Sequence, residues 1–422
     1  MKKLVSEKSL QKLMAPAALV ILYLFFGFFG RNFFSYATLV NIFDASYYIG
    51  FIAIGVTFVI ITGGIDLSVG TVMMCASIIG GTAYVTWGWP MWASLLLILL
   101  IGTLFGVFNG IMVSRLKLPP FIATLGTMMI SMGIGSIVSN VRSATFPTRA
   151  GEDGWFKNIF KIITEDYQSI PTGAGVLLLV ALIAYIILTK TRMGRYIFAI
   201  GSNKEAARLS GINVKKWEMM AYVTSGVCAG IGGIAFPAVY TTVMPAQGQG
   251  FELYAIAAAV IGGTSLSGGI GSIFGTLIGV YIISVLRSGL PSMDLQAHYQ
   301  TFFTGVVVIG AVLLDIYRNK KASEIRILSA ADRYRADMNE KIKALKQRLS
   351  AVAGDEAEGI KKEISRLKHE RNHEFRKMKR EQKHTQTQIR REERLAEEEL
   401  KRRLEEEAGD RRSEVGGTTG SF

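Results

Sequence analysis

Ten mostly apolar stretches separated by short polar connections occupy the first three quarters of the chain. They fall at 14–33, 46–64, 68–87, 91–113, 120–140, 173–190, 218–240, 251–267, 270–290 and 300–317. Crossing about 30 Å of hydrocarbon takes roughly 20 such residues. None of the stretches alternates apolar and polar residues as a barrel strand would, and backbone groups in lipid must be bonded within their own segment, so each is expected to be a helix. The pattern changes after residue 318. Met338, Ile342, Leu345, Leu349 and Val352 recur at heptad spacing, and Ile360, Ile364 and Leu367 resume it after the break AGDEAEG. No proline follows Pro291, so this part predicts a helical hairpin whose second arm reaches toward Ala408. Beyond Met378 the seam fades into REERLAEEELKRRLEEE, helix-prone but nearly all polar. The expected fold class is all-α: a polytopic membrane domain of about ten transmembrane helices at 1–318, a cytoplasmic, charged, coiled-coil-like extension at 319–410, and a flexible tail at 411–422.

Charge sharpens this division. Residues 1–318 carry 20 Lys+Arg and 12 Asp+Glu, whereas residues 319–422 carry 27 and 21. In the first part the basic residues gather in a few connections, a membrane pattern rather than a nucleic-acid one, and no nucleic-acid partner is expected. With the N-terminus inside, the cytoplasmic connections hold Arg115 and Lys117, then Lys190, Arg192, Arg195, Lys204, Arg208, Lys215 and Lys216, then Arg318, Lys320 and Lys321. The outer connection at 141–172 balances four basic residues with four acidic ones and contains WFKNIF, a possible short helix. Ten spans then put both termini in the cytoplasm. Lys2, Lys3, Lys8 and Lys12 before Ala15–Phe29 imitate a signal peptide, but Gly27-Phe28-Phe29-Gly30-Arg31 offers no small-residue cleavage site, so an uncleaved first span is expected. Cys75 and Cys228 lie inside apolar segments and imply no disulfide framework.

Several short patterns carry further weight. Gly102, Gly106 and Gly110, and again Gly271, Gly275 and Gly279, fall at every fourth position and read as stripes for close helix packing. GGIDLSVG at 63–70 and GGTSLSGG at 262–269 share Gly-Gly-x-x-Leu-Ser after similar apolar runs, which suggests an internal duplication with both copies on the same side. Asp66, beside Gly63, Gly64 and Ser68, is the clearest ionisable group within the membrane part. It suits either a transport path or gate, or a cap for the helix starting near Ser68. Asp44, Glu252, Asp294 and Asp315 lie near span ends and are expected to be wet or snorkelling. Three of the four histidines fall in the charged tail and no metal set or catalytic histidine arrangement can be built in the membrane part, so neither a metal, a cofactor nor an enzymatic activity is expected. Gly-Lys occurs nowhere, which excludes a Walker A lysine.

Between the sixth and seventh stretches, IGSNKEAARLSGINVKK (200–216) reads as a short cytoplasmic helix. Asn203 or Ser202 caps it, Glu205 sits in its first turn, Ala206 and Ala207 follow, and Gly211 ends it. TKTRMGRYIFAIGSNKEAARLSGINV (189–214), ITGGIDLSVG (61–70), LPPFIATLGTM (118–128) and YAIAAAVIGGTSLSGGIGS (254–272) resemble, in the same order, the membrane permease subunits of bacterial ABC importers for monosaccharides of the ribose and galactose/methylgalactoside type. The resemblance implies an inner-membrane subunit in which Glu205, Ala206, Ala207 and Gly211 belong to the segment seated in a cleft of the ATPase. It implies as partners two nucleotide-binding domains, an extracytoplasmic sugar-binding protein, a second permease copy and a monosaccharide. Phe58, the loop with Gly63, Gly64, Asp66 and Ser68, Asn109, and the polar Gln247 and Gln249 are candidates for the path or its gate. The alternative is an ion-coupled secondary carrier with Asp66 as coupling group. The family pattern stops near Glu324, leaving the extension as a spacer or as a surface for the ATPases, self-association or anionic lipid.

Overall fold

A computed structural model describes residues 2–149, 151–164, 168–326, 330–349 and 357–381. It divides into two compact units, Met1–Tyr317 and Arg318–Phe422.

The first unit is a helical bundle. Its helices are α1 (Lys2–Phe29), α2 (Tyr36–Ile61), α3 (Val69–Val85), α4 (Met91–Ser114), α5 (Pro120–Val138) and α6 (Gly173–Lys190). The shorter α7 (Arg192–Ser202) and α8 (Lys204–Leu209) lead into α9 (Val214–Tyr240), α10 (Phe251–Ile261), α11 (Ile273–Ser292) and α12 (Ala297–Arg326), of which residues up to Tyr317 belong to this unit. Their starts follow local chemistry. Ser35 accepts a hydrogen bond from Thr38 N at 3.3 Å ahead of α2, Asn213 accepts from Lys216 N at 3.1 Å ahead of α9, and Pro119-Pro120 fixes the first turn of α5.

Among the described residues, seven helices are long and apolar enough to cross a membrane: α2, α4, α5, α6, α9, α11 and residues His298–Tyr317 of α12. Three shorter apolar helical stretches, Ala15–Phe29, Val69–Val85 and Phe251–Ile261, fall at the other three sequence positions. The boundaries differ in two instructive places. The second stretch begins about ten residues earlier than hydropathy suggests, at Tyr36 rather than 46, because Asp44 is buried and paired by Lys161 instead of ending the helix. The eighth, expected over 251–267, ends at Ile261, where Gly262-Gly263 stops it.

Helix α2 runs through the centre of the unit, with its apolar window wholly buried by protein. The glycine stripes act as packing surfaces around it. On α4, Gly102 and Gly106 leave no room for a Cβ against Gly226 and Gly230 of α9, and on α11, Gly275 and Gly279 lie on the carbonyls of Gly262 and Ala258. Outer faces stay apolar and uncovered, such as Leu96, Leu100 and Leu104 on α4 and Phe302, Val306, Ile309 and Leu313 on α12. A multi-pass membrane protein needs such faces, and a water-soluble bundle of this size does not expose them.

One end of the bundle is covered by the segment at 141–172. Strand β1 (Ala144–Thr145) pairs with β4 (Thr242–Val243), β2 (Ile162–Ile163) pairs with β3 (Ser169–Ile170), and a 3-10 helix spans Glu152–Ile159, where WFKNIF lies. The opposite end carries residues 62–68, α7, α8 and residues 262–272.

The second unit contains α13 (Ala330–Leu349) and a further helix, α14, at 357–381. Met338, Ile342 and Ile364 of the heptad series are buried. Arg371 Nη1 donates to Asn339 Oδ1 at 2.6 Å, and the Arg335 guanidinium lies 4.8 Å from the Phe375 ring centre, so the two helices pair antiparallel. Val352, the stretch REERLAEEELKRRLEEE and the tail at 411–422 lie outside the described residues.

Candidate functional site

The two Gly-Gly-x-x-Leu-Ser copies form similar helix-ending joints one position out of step, turning at the first glycine of one copy and the second of the other. At the end of α2, Gly63 N donates to Ile60 O at 2.9 Å and Gly64 N to Val59 O at 3.2 Å; at the end of α10, Gly263 N donates to Val260 O and Thr264 N to Ala259 O, both at 2.9 Å. Gly63 and Gly263 take left-handed φ values of +83° and +95°, so each copy ends its helix in the same reversed turn. The copies then meet: Gly269 N donates to Ile61 O at 2.9 Å. Gly201, at the end of α7, packs into that meeting point with no space for a Cβ between Ile61 O and Gly269 N. Helix α8 begins three residues later.

Asp66 sits in the first joint, 2 % exposed. Its Oδ1 accepts from Ser68 N at 3.0 Å and Ser68 Oγ at 2.7 Å, and its Oδ2 accepts from Ser225 Oγ of α9 at 2.9 Å. Asn109 of α4 donates to Ser68 Oγ at 2.8 Å and accepts from Thr127 Oγ1 of α5 at 2.6 Å. The carboxylate thus fastens the start of α3 to α9, α4 and α5. It does this through Ser68 and Ser225, while Ser68 itself occupies the capping position without a side-chain capping bond. Both oxygens hold partners, which suits a clasp better than a group that must exchange an ion.

The short helix α8 forms as its sequence suggests. Asn203 Oδ1 accepts from Ala206 N at 2.9 Å, and Gly211, at φ +80°, closes it with Ile212 N donating to Ala207 O at 3.1 Å. Ala207 is buried. Arg208 pairs with Glu205 at 2.8 Å on the exposed side, and Lys204 pairs at 2.8 Å with the nearly buried Glu218, tying α8 to α9. Leu209 stands 83 % exposed beside them. The region holds two helices where one was expected, since α7 precedes α8 and buries Gly194, Ile197 and Ile200.

A third feature is a broken segment. After β4 the chain runs irregularly through Met244–Gly250 before α10, whose 11 residues span only about 16 Å at 1.5 Å each. This irregular stretch enters the bundle, because Gly248 is buried with its carbonyl against Gly70 at the start of α3. Non-helical backbone at such depth is tolerated where it is enclosed by protein or lines a polar cavity. Gln247 and Gln249 lie on it, Gln249 exposed and Gln247 half-buried with its Oε1 accepting from Met244 N at 3.3 Å. Glu252 opens α10, buried, with Oε1 accepting from Gly250 N at 2.9 Å and Oε2 unpartnered.

The structure therefore brings Gly63, Gly64, Asp66, Ser68 and Asn109 together, sets Gln247 and Gln249 on a separate broken segment, and encloses Phe58 completely in α2. Asp44 and Glu252 are not wet, each being 5 % exposed; Asp294 is wet and pairs with Arg31 at 2.9 Å. Asp44 is paired by Lys161 at 2.7 Å, a partner 117 positions away that no local pattern reveals. Ser225, Thr127 and Glu218 also escape a sequence reading, being ordinary polar residues on apolar helices. Beside Asp44, the covered end holds Lys157, which donates to Thr241 Oγ1 at 2.8 Å. Burial first, and Arg149 nearby second, push this lysine down to about 8.

These features join helices to one another. The family of permease components described for branched-chain amino acid transport systems matches residues 38–312. The chain belongs to this permease family. It is 37 % identical over 305 residues to the ribose import permease protein RbsC of Haemophilus influenzae, covering 72 % of this chain and 93 % of that protein. It is 37 % identical over 264 residues to the D-allose transport system permease protein AlsC of Escherichia coli, covering 63 % and 78 %, and 35 % identical over 297 residues to the fructose import permease protein FrcC of Rhizobium meliloti, covering 70 % and 82 %. No solved structure matches. As a permease component, the protein is a multi-pass membrane transport subunit.

Proposed function

We propose that this chain is the pathway-forming subunit of an ATP-driven monosaccharide importer of the bacterial inner membrane, crossing it ten times with both termini in the cytoplasm. The observation that carries this reading is the direct seating of Gly201 on the joints of α2 and α10, one step before the exposed helix α8. A separate ATPase grips Glu205, Ala206, Ala207 and Gly211, and its closure shifts α7 and α8. Because backbone touches backbone at Gly201, that shift reaches α2, α10 and the Asp66 clasp with little slack. The broken segment at Gln247 and Gln249 and the loop at Gly63–Ser68 then reorient as rigid parts, an alternating-access cycle. A second copy supplies the other wall of the pathway, and an extracytoplasmic binding protein delivers the sugar to the covered end. The relatives named for ribose, allose and fructose support a monosaccharide as cargo.

The test is reconstitution in vesicles with the ATPase and sugar-binding protein encoded beside this chain. Sugar should accumulate only when ATP and both partners are present. Uphill accumulation by this chain alone, driven by a proton or sodium gradient, would instead identify a secondary carrier.

A further inference from the structure

The family match ends at residue 312, so nothing in it accounts for the helical pair α13 and α14. The two helices arrange their charge differently. On α13 the exposed charges are mixed, with Asp337 and Glu340 set among Arg335, Lys341 and Lys343 and an Asp337–Lys341 pair at 3.0 Å. On α14 they are sorted. Ile364 is buried on the seam, with Ile360, Leu367 and Met378 half-buried beside it. At 3.6 residues per turn, Lys362, Arg366, Lys368, Arg376, Lys379 and Arg380 fall on one arc of about 160° clear of that seam, and all six are exposed. Glu363, Glu370, Glu374 and Glu381 gather in a strip of about 40° along one edge of the seam. Glu358, in the first turn, is the acid that enters the basic arc, and it pairs with Lys362 at 3.7 Å. Arg366, Lys368, Arg376 and Arg380 pair with no carboxylate among the described residues. Like charges side by side repel, so a helix that had only to stay dissolved would gain by interleaving signs, as α13 does. A continuous cationic face suits an extended anionic surface.

We propose that this face of α14 rests on the anionic headgroups of the bilayer in which the chain itself sits. Chain connectivity selects this partner over a dissolved polyanion. Helix α14 runs antiparallel to α13 and brings Phe375 beside Arg335, which is near in sequence to Tyr317, the end of the last membrane-crossing stretch. The return therefore keeps Arg376, Lys379 and Arg380 on a short tether to the membrane. Such a tether holds headgroups at high local concentration, whereas a nucleic acid has to be recruited from solution. Clusters of Lys and Arg just inside a membrane span recognise anionic lipid in this way. The apolar side of α14 is taken up by α13, so the contact is electrostatic and stays at headgroup level. The inference rests on the reading that puts this extension in the cytoplasm, against the anionic leaflet.

The test uses the full-length chain with Ser365→Cys, an exposed position within the basic arc whose exchange removes no charge, carrying a spin label; Cys75 and Cys228 are buried. Accessibility of the label to an uncharged, water-soluble nickel chelate is compared in nanodiscs of phosphatidylcholine alone and with phosphatidylglycerol added. The anionic discs should cut accessibility about fivefold, and added salt should restore it. Arg366→Gln, Arg376→Gln and Arg380→Gln together should abolish the protection, while Lys341→Gln, Lys343→Gln and Lys346→Gln on α13 should leave it. Equal accessibility of the unaltered basic face in the two lipids overturns the inference whatever the variants do. Protection that appears in neutral lipid and grows with protein concentration marks self-association and also overturns it. Protection by an added single-stranded oligonucleotide but not by anionic lipid assigns the face to nucleic acid instead. An impermeant maleimide that reaches Ser365→Cys from outside intact cells counts against the cytoplasmic placement, and the nanodiscs, which expose both leaflets, read the lipid contact independently.

Discussion

The two ends of the bundle are held by different means. At the end bearing α8, backbone meets backbone: Gly201 lies on Ile61 and Gly269, and the reversed turns at Gly63 and Gly263 bring the two joints together. At the covered end, side chains reach across gaps: Lys161 to Asp44, Lys157 to Thr241, and Tyr36 Oη to Ser169 O at 2.8 Å, with a cavity between helices. Backbone contacts have no rotamers through which to yield, so the first end suits transmission of force. Side chains can re-pair as helices tilt, so the second suits opening, closing and selection.

The contrast can be broken most severely at Gly201. Gly201→Val should cost about 3 kcal/mol through overpacking and bring ATP-driven uptake to background; a variant with normal uptake would remove the rigid joint from the account. Asp66→Leu comes next. It leaves the Ser68 and Ser225 hydroxyls without their acceptor and should cost about 2 kcal/mol in thermal or denaturant unfolding, with Asp66→Asn losing less. ATP-driven sugar accumulation retained in Asp66→Asn, whose amide cannot carry a proton, would mark the residue as a clasp. Leu209→Asp is milder in the fold, since the side chain is 83 % exposed. It should leave the melting temperature unchanged yet lower transport-coupled ATP hydrolysis about tenfold, a split that a purely structural role for α8 would not produce.

The smallest effect sharpens the side-chain end. Lys157 is held near 8, below the usual value of 10.5, so its charged form is the costly one in the folded protein. Between about pH 8 and 10.5 the unfolded chain binds more protons than the folded one, and stability therefore rises with pH across that window. The melting temperature should climb by roughly 2 °C from pH 7.5 to 10, and Lys157→Met should flatten that rise relative to the unaltered chain.

Much of this contrast was readable along the chain, but unevenly. Apolar runs located the seven helices long enough to span and three shorter apolar ones, and Asn203, Glu205 and Gly211 spelled out α8, because caps and terminators act within a few residues. The paired joints were visible in Gly-Gly-x-x-Leu-Ser. Hydropathy did not show that α10 is only a half-length helix, since Met244–Gly250 is too short and too mixed in character to mark where a backbone breaks. It also misjudged Asp44 and Glu252, whose burial depends on partners and packing brought together by the fold. Ser225 and Thr127 carried no local sign of their role in the Asp66 clasp.

The burial of the apolar window of α2 by protein has a consequence for how this protein meets its solvent. That window touches no acyl chain, so a lipid-soluble carbene released by light within the bilayer should mark α4, α6 and α12 and pass over α2 beyond its first turns. By the same token, changing the thickness or fluidity of the surrounding lipid acts on α2 only through its neighbours, and shape rather than greasiness governs which residues it can accept.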